Sequence, residues 1–283
     1  MADQKQRLIT FQGEPGAYSE IACREFQPAL TPVACPTFEG AMAMVRDGKA
    51  ERAMLPIENS VAGRVSDIHA LLPDSDLYIV GEHFLPIHHQ LMALPGVSVA
   101  DLKRVSSHAM ALGQCRHLFQ SHDFLPEVGG DTAGAARQLV DSQDRTHGVL
   151  ASSLAAEIYG LEILLKNVED ADHNTTRFLQ MAAEPMDAAP GDGEVVTSFV
   201  FQVRNIPAAL YKGLGGFATN NVNMTKLESY QLEGSFTATR FYADIAGHPD
   251  DPNVRLALEE LSFFSSSLKV LGVYEAARPR TPR

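Results

Sequence analysis

The chain has 283 residues, 45% of them hydrophobic and 20% charged, with no tryptophan, a length and composition that suit a globular protein of two domains. A formal net charge of −12 and a pI near 5.2 set its mean field against nucleic acid and anionic membrane surfaces. Three cysteines without paired spacing (Cys23, Cys35 and Cys115), a polar N-terminus and no apolar run of about 18 residues exclude a disulfide framework, a thiolate zinc site, a signal peptide and a membrane helix, and lead us to expect a cytoplasmic protein.

In chain order, RLITFQG reads as a strand, followed by the turn GEPG and a helix around ACREF. Gly13, Pro15 and Gly16 either make a structural turn or let backbone N–H groups approach an anion. FEGAMAMVRDG is helical and RAMLPIEN is a strand that ends in Glu58, Asn59 and Ser60, an acid, an amide and a hydroxyl in succession. Those three are either a helix cap or a site. LYIVGEHFLP is the next strand, and PIHHQ follows it. Adjacent histidines in extended chain point to opposite faces, so His88 and His89 do not suggest a metal site.

RVSSH reads as a strand carrying Ser106, Ser107 and His108, and MALGQCRHLFQ as one helix containing Gln114. DTAGAARQLVD is a helix capped by Asp131 or Thr132, HGVLAS a strand, and SLAAEIYGL a helix, so the first unit is α/β with a mainly parallel sheet. HNTTRF, residues 173–178, fits neither a helical period nor a strand alternation. Arg177 offers a planar fork suited to a carboxylate, Thr176 a hydroxyl, and Phe178 an apolar anchor.

MAAEPMDAAPGDGEVV, residues 181–196, reads as a linker. Beyond it VVTSFVFQV, VNMTKLESYQ, TATRFYADIAG and LKVLGVYEA are strands, with helices in NIPAALYKGLGGFATNN, capped by Asn205, and DDPNVRLALEELSFFSSS. The order βαββαβ predicts a ferredoxin-like sandwich.

GEPGAYSE, PIENSVAG, SSHAMALGQC, ASSLAAEIYGL and NTTRF, in this order, resemble prephenate dehydratase in its monofunctional form, and the βαββαβ tail resembles its ACT regulatory domain. The likeness runs from about Leu8 to Ala276. It implies a catalytic unit over residues 6–182 with two lobes similar to a type II periplasmic binding fold. Lobe one would hold about 6–80 and 165–182, lobe two about 84–164, and the ACT domain would cover 195–276.

The family's threonine of the TRF motif corresponds to Thr176, its Ile-Glu-Asn pattern to Ile57, Glu58 and Asn59, and its Ser-His and Gln-Cys patterns to Ser107, His108, Gln114 and Cys115. The resemblance thus implies catalytic roles for Thr176, Glu58, Asn59, Ser107 and Gln114, with Arg177, Ser60 and Phe178 binding substrate. The reaction implied is the decarboxylating dehydration of prephenate to phenylpyruvate, with no cofactor and no metal. Glu58, if its acidity were weakened by burial, would be the proton source.

Phenylalanine would bind at an interface of a homodimer or homotetramer, around Asn205, Ala208, Ala209, Leu210, Glu228 and Ser229. Two departures put its affinity in doubt: Ala208 stands where the family has glycine, and Tyr230-Gln231 where it has Arg-Pro. Two alternatives stay open. One is arogenate dehydratase, the same elimination on an amino substrate; the other is a noncatalytic amino-acid sensor.

Overall fold

A computed structural model describes residues 6–190, 194–231 and 239–277. In chain order the elements are β1 (Leu8–Gln12), α1 (Tyr18–Phe26), β2 (Thr31–Cys35), α2 (Phe38–Arg46), β3 (Arg52–Asn59), β4 (Gly63–Arg64), α3 (Ser66–Leu71), β5 (Tyr78–Pro86), β6 (Gln90–Ala93) and β7 (Arg104–His108). Then come α4 (Ala109–Gly113), α5 (Arg116–Ser121), β8 (Leu125–Gly129), α6 (Thr132–Ser142), β9 (His147–Ala151), α7 (Ser153–Tyr159), β10 (Glu162–Leu165) and β11 (Thr175–Ala182). The last elements are β12 (Val195–Val203), α8 (Ala209–Thr219), β13 (Met224–Gln231), β14 (Thr239–Ala246), α9 (Pro252–Phe264) and β15 (Ser265–Glu275).

Three sheets result. The first has the order β2-β1-β3-β11-β5, the second β10-β6-β9-β7-β8, and the third β13-β14-β12-β15. The expectation of a mainly parallel arrangement holds for β1 with its neighbours β2 and β3, and for β7 with β8 and β9. It fails where β6 pairs antiparallel with both β9 and β10, so the second sheet is mixed. The third sheet is antiparallel throughout, with the strand order of a ferredoxin-like βαββαβ unit.

By internal contacts the chain forms two compact units: residues 1–65 with 84–178, and residues 66–83 with 179–283. The boundary falls inside β5 and β11. The segment 66–83, assigned from the sequence mostly to the first lobe, is grouped with the C-terminal sheet for a physical reason. His69 lies edge-on to Tyr242 at 5.1 Å, Lys269 donates to the Pro73 carbonyl at 2.7 Å, and Gly272 is small enough to admit the Ile79 carbonyl, which a Cβ would strike. Phe199, Phe201, Phe241 and Ala243 pack with α8 and α9 residues on the other face of that sheet.

In the first unit, local chemistry sets the helix starts. Thr37, Asp131 and Ser152 cap α2, α6 and α7 by accepting from the N–H of Gly40, Gly134 and Ala155. The GEPG turn is a packing device. Gly16 has φ of 89°, a Cβ on it would come within 2.7 Å of the Ala155 Cα, and its N–H is already spent on the Glu20 carboxylate at 2.7 Å. Ser152 donates to its carbonyl. The anion-cradle alternative therefore does not fit this loop.

Two other readings need correction. The helix expected to start at Asn205 begins at Ala209 instead, after Ala208 in left-handed backbone with φ of 61°, and Asn205 is exposed in the preceding loop. The single helix expected over residues 110–120 is two short ones, α4 and α5, separated by Gln114 and Cys115.

Candidate active site

HNTTRF is the start of a strand. β11 is buried on both faces along nearly all its length, which is why no alternation marks it in the sequence. Its first residues lie against the end of β3. Ser60 N–H donates to the Thr175 carbonyl, the Thr175 N–H donates to Ser60 Oγ at 2.9 Å, and Ser60 Oγ donates to the His173 carbonyl at 2.6 Å. Ser60, expected to bind substrate, is thus a backbone strap that fixes β11 beside Asn59.

From there a chain of side chains runs inward, and its polarity can be deduced from one end. Backbone N–H groups can only donate, so the Asn59 atom facing the N–H of Val61 at 2.9 Å and of Ala62 at 2.8 Å is its oxygen. Asn59 Nδ2 then points the other way and donates to Asn174 Oδ1 at 2.8 Å and to Thr176 Oγ1 at 3.0 Å. Asn174, turned by that bond, donates through Nδ2 to Gln114 Oε1 at 3.0 Å. Gln114 Nε2 reaches back to Asn59 Oδ1 at 3.4 Å.

The donor inventory is informative. Asn59 spends both amide protons; Gln114 and Asn174 each keep one, and Thr176, acting as acceptor toward Asn59, keeps its hydroxyl proton. Three neutral donors are left over among the described residues. Asn59 and Gln114 are half-buried, while Asn174 and Thr176 are at 3% and 9% exposure, so the cluster is largely screened from solvent and reaches it through Asn59 and Gln114. A dry site strengthens each bond to an anion that enters it.

Gln114 is held by the segment 166–174, which returns from β10 to β11. The Asp170 N–H donates to the Gln114 carbonyl at 2.7 Å, and the Asp170 carboxylate accepts from the N–H groups of Arg116 and His117 at the start of α5. Glu169 accepts from the His89 N–H at 2.8 Å and bonds His88 Nδ1 at 2.7 Å. His88 and His89 therefore face different partners, as their adjacency requires.

Arg177, 3% exposed, donates through Nη1 to Glu58 Oε1 at 3.0 Å. A carboxylate paired with a guanidinium is an acceptor, so this geometry makes Glu58 the counter-ion of a buried cation and disfavours it as a proton source. Ser107 departs further from expectation: it is fully buried within β7, and its hydroxyl donates to the Leu150 carbonyl of β9 at 2.6 Å. Phe178, at 1% exposure, packs in a core cluster with Ile9, Phe11, Met54 and Leu85 instead of facing a ligand.

At the other predicted site, Ala209 is buried and Leu210 packs into the α8–α9 core. Glu228 pairs with Lys226 at 3.0 Å, and strand alternation turns Ser229 to the opposite face of β13. Asn174, Tyr18, Glu169 and Asp170 are not among the site residues expected from the sequence, and His89 was weighed there only as a metal ligand. Asn174 lies in HNTTRF and His89 in PIHHQ, but the acids sit in an unpatterned connection and nothing local marked them.

Residues 9–186 match the family model of prephenate dehydratase. The chain belongs to the prephenate dehydratase family. It is an enzyme, a carbon–oxygen lyase of that family.

A bifunctional N-acyl-homoserine lactone acylase/prephenate dehydratase of Komagataeibacter europaeus is 51% identical over 96% of this chain and 97% of its own. Arogenate dehydratase 2 of Petunia hybrida is 39% identical over 97% of this chain and 73% of its own. The crystal structure of a prephenate dehydratase from Arthrobacter aurescens in complex with L-Phe superposes with a TM-score of 0.88 at 31% identity, over 98% of this chain and 92% of that one. These likenesses support the mixed α/β, periplasmic-binding-protein-like architecture of the dehydratases for residues 9–186. Among the described residues no helix is long and apolar enough to cross a membrane.

Proposed function

We propose that this enzyme converts prephenate to phenylpyruvate, carbon dioxide and water, with residues 6–182 as its catalytic unit. The observation that carries this is the hydroxyl of Thr176. It accepts from Asn59, so its own proton is available to a leaving group.

The chemistry asks for little else. As the bond from the ring carbon to its carboxylate breaks, the electron pair enters the ring and expels hydroxide from the opposite carbon, leaving an aromatic ring and CO₂. The dianion takes up one proton and yields the phenylpyruvate monoanion, so charge balances. Aromatisation drives the reaction, and the barrier lies in making hydroxide depart. Thr176 donates a hydrogen bond to that oxygen, relaying a proton from solvent. Donors aimed at developing charge contribute about 10² to 10³ each in rate.

The free N–H groups of Gln114 and Asn174 hold substrate carboxylate or keto oxygens. Neutral donors suit a dianion entering a protein of net charge −12, since they attract it without a permanent cation. Arg177, paired with Glu58, follows Thr176 in β11, where successive side chains point to opposite faces. The reaction needs no cofactor or metal.

The C-terminal unit, within residues 195–276, is proposed to be an ACT domain that binds phenylalanine and slows the enzyme. The L-Phe complex of the Arthrobacter relative supports this. Pairing of such units would give a homodimer or homotetramer. Three free, buried thiols fit a cytoplasmic location.

Two observations favour further readings of the substrate. The plant relatives named arogenate dehydratases favour the amino analogue. The 51% identity to the acylase/dehydratase favours a second, hydrolytic activity on N-acyl-homoserine lactones. Side-by-side kinetics on all three substrates decides. Phenylpyruvate formation from prephenate at a kcat/KM well above those of the other two is the expected result, and a preference for arogenate, or turnover of the lactone alone, would overturn the assignment.

A further inference from the structure

We infer that His89 is a positioning residue for this reaction, holding the Gln114 amide in the orientation that leaves its N–H facing substrate. The inference rests on the dehydratase reading of the same site. His89 lies just before β6, 3% exposed, with Nε2 3.0 Å from Gln114 Oε1 and Nδ1 2.8 Å from the Tyr18 hydroxyl.

The hydrogen-bonded chain that starts at Val61 and Ala62 reaches His89. Their N–H groups fix Asn59, Asn59 fixes Asn174, and Asn174 fixes the oxygen of Gln114 as the atom turned inward. His89 Nε2 faces that same oxygen, and two acceptors cannot share a hydrogen bond, so Nε2 carries a proton. The Gln114 oxygen thus receives two donors, one from each side. An amide rotated by half a turn would set N–H against N–H at both contacts and break them together.

Tyr18 completes the arrangement. Its ring stands edge-on to the imidazole at 5.5 Å, and its hydroxyl lies 2.8 Å from Nδ1 and 2.9 Å from the His88 carbonyl. The His88 carbonyl can only accept, so the single Tyr18 proton is shared between it and Nδ1, which in an imidazole protonated at Nε2 is an acceptor as well. Burial holds the His89 pKa below its ordinary value, against the hydrogen bond to Gln114 and the Glu169 carboxylate that accepts from its backbone N–H; His88 next to it acts in the same direction as burial. Tyr18 itself is pushed well above the usual phenol range, chiefly by desolvation and then by Glu169, so it stays a donor. What fixes the proton on Nε2 is the Gln114 oxygen it faces, and burial works against a second proton on the ring.

The test uses the intact chain. In ¹⁵N-histidine-labelled wild type at neutral pH, the signals lost on His89→Gln report the tautomer of His89, and they are expected to be those of an Nε2–H imidazole. His89→Phe, which fills the site without a donor, is expected to lower kcat on prephenate by about 10- to 100-fold. His89→Gln places an amide N–H near the Nε2 position and is expected to restore kcat to within about threefold of wild type.

An Nδ1–H tautomer overturns the inference even if His89→Phe does not fold, and so does a His89→Gln enzyme as impaired as His89→Phe. A wild type that shows the Nε2–H tautomer but does not turn over prephenate refutes the dehydratase reading instead, which separates the two failures.

Discussion

The first unit buries the chain Asn59–Asn174–Gln114–His89, and the second buries a cluster of Ser198, Asp244, Tyr242 and Tyr274. Both consist of groups that an apolar interior tolerates only when they are bonded. In the second, every member is at 1% exposure or less, and Ser198 Oγ sits at the centre, donating to Asp244 Oδ1 at 2.5 Å with the tyrosine hydroxyls at 2.7 and 3.2 Å. In the first, Asn59 and Gln114 are half-buried and three protons have no partner among the described residues. One network is closed and holds strands together, while the other is partly exposed at Asn59 and Gln114 and has donors to spare. Burial of polar groups alone does not mark a site; unspent donors at a rim do.

The sharpest way to break that contrast is at Asn59. Asn59→Asp keeps the oxygen that accepts from Val61 and Ala62 but removes the N–H groups that face Asn174 and Thr176. We expect kcat to fall by about 10² or more with the circular dichroism spectrum unchanged. Glu58→Ala removes a carboxylate partner of a guanidinium at 3% exposure, and urea denaturation should show a loss of about 3 kcal/mol. Its activity loss should follow the loss of folded protein if Glu58 is a counter-ion.

In the closed network, Asp244→Asn should cost about 1 to 2 kcal/mol by the same assay and leave kcat of the folded enzyme unaltered. The smallest expected effect is a gain. Ala208 occupies left-handed backbone at φ of 61°, so Ala208→Gly should raise stability by about 0.5 to 1 kcal/mol, read as a higher Tm.

The same two regions differ in how well the sequence announced them. In the second unit β13 alternates between half-buried and exposed residues along its length, and the βαββαβ order can be read from such periods. In the first, β3 and β7 are recovered to the residue, but β11 is buried on both faces and β8 is exposed on both, so neither alternates. β6 and β10, at four residues each, are too short to carry a period.

The break between α4 and α5 was also hidden. It exists because Gln114 is anchored by its own N–H to α4 and by its carbonyl to Asp170, a residue more than fifty positions away. Asn59 was legible at a strand end, Gln114 only as a residue within a helix and Thr176 within a cluster of no regular period; their joining through Asn174, and the support from His89 and Glu169, come from pairings between distant segments that no local pattern encodes. Ser107 shows the converse, a hydroxyl in the right motif whose proton is consumed by the neighbouring strand.

The central claim is that the Thr176 proton assists departure of the ring hydroxyl. Thr176→Val keeps the shape of the side chain and deletes only that proton and its oxygen, while Thr176→Ser keeps both, so the decisive measurement is kcat for phenylpyruvate formation by the two variants. The account predicts a loss of about 10² to 10³ for valine and less than about tenfold for serine; a valine variant that works at near wild-type rate would contradict it.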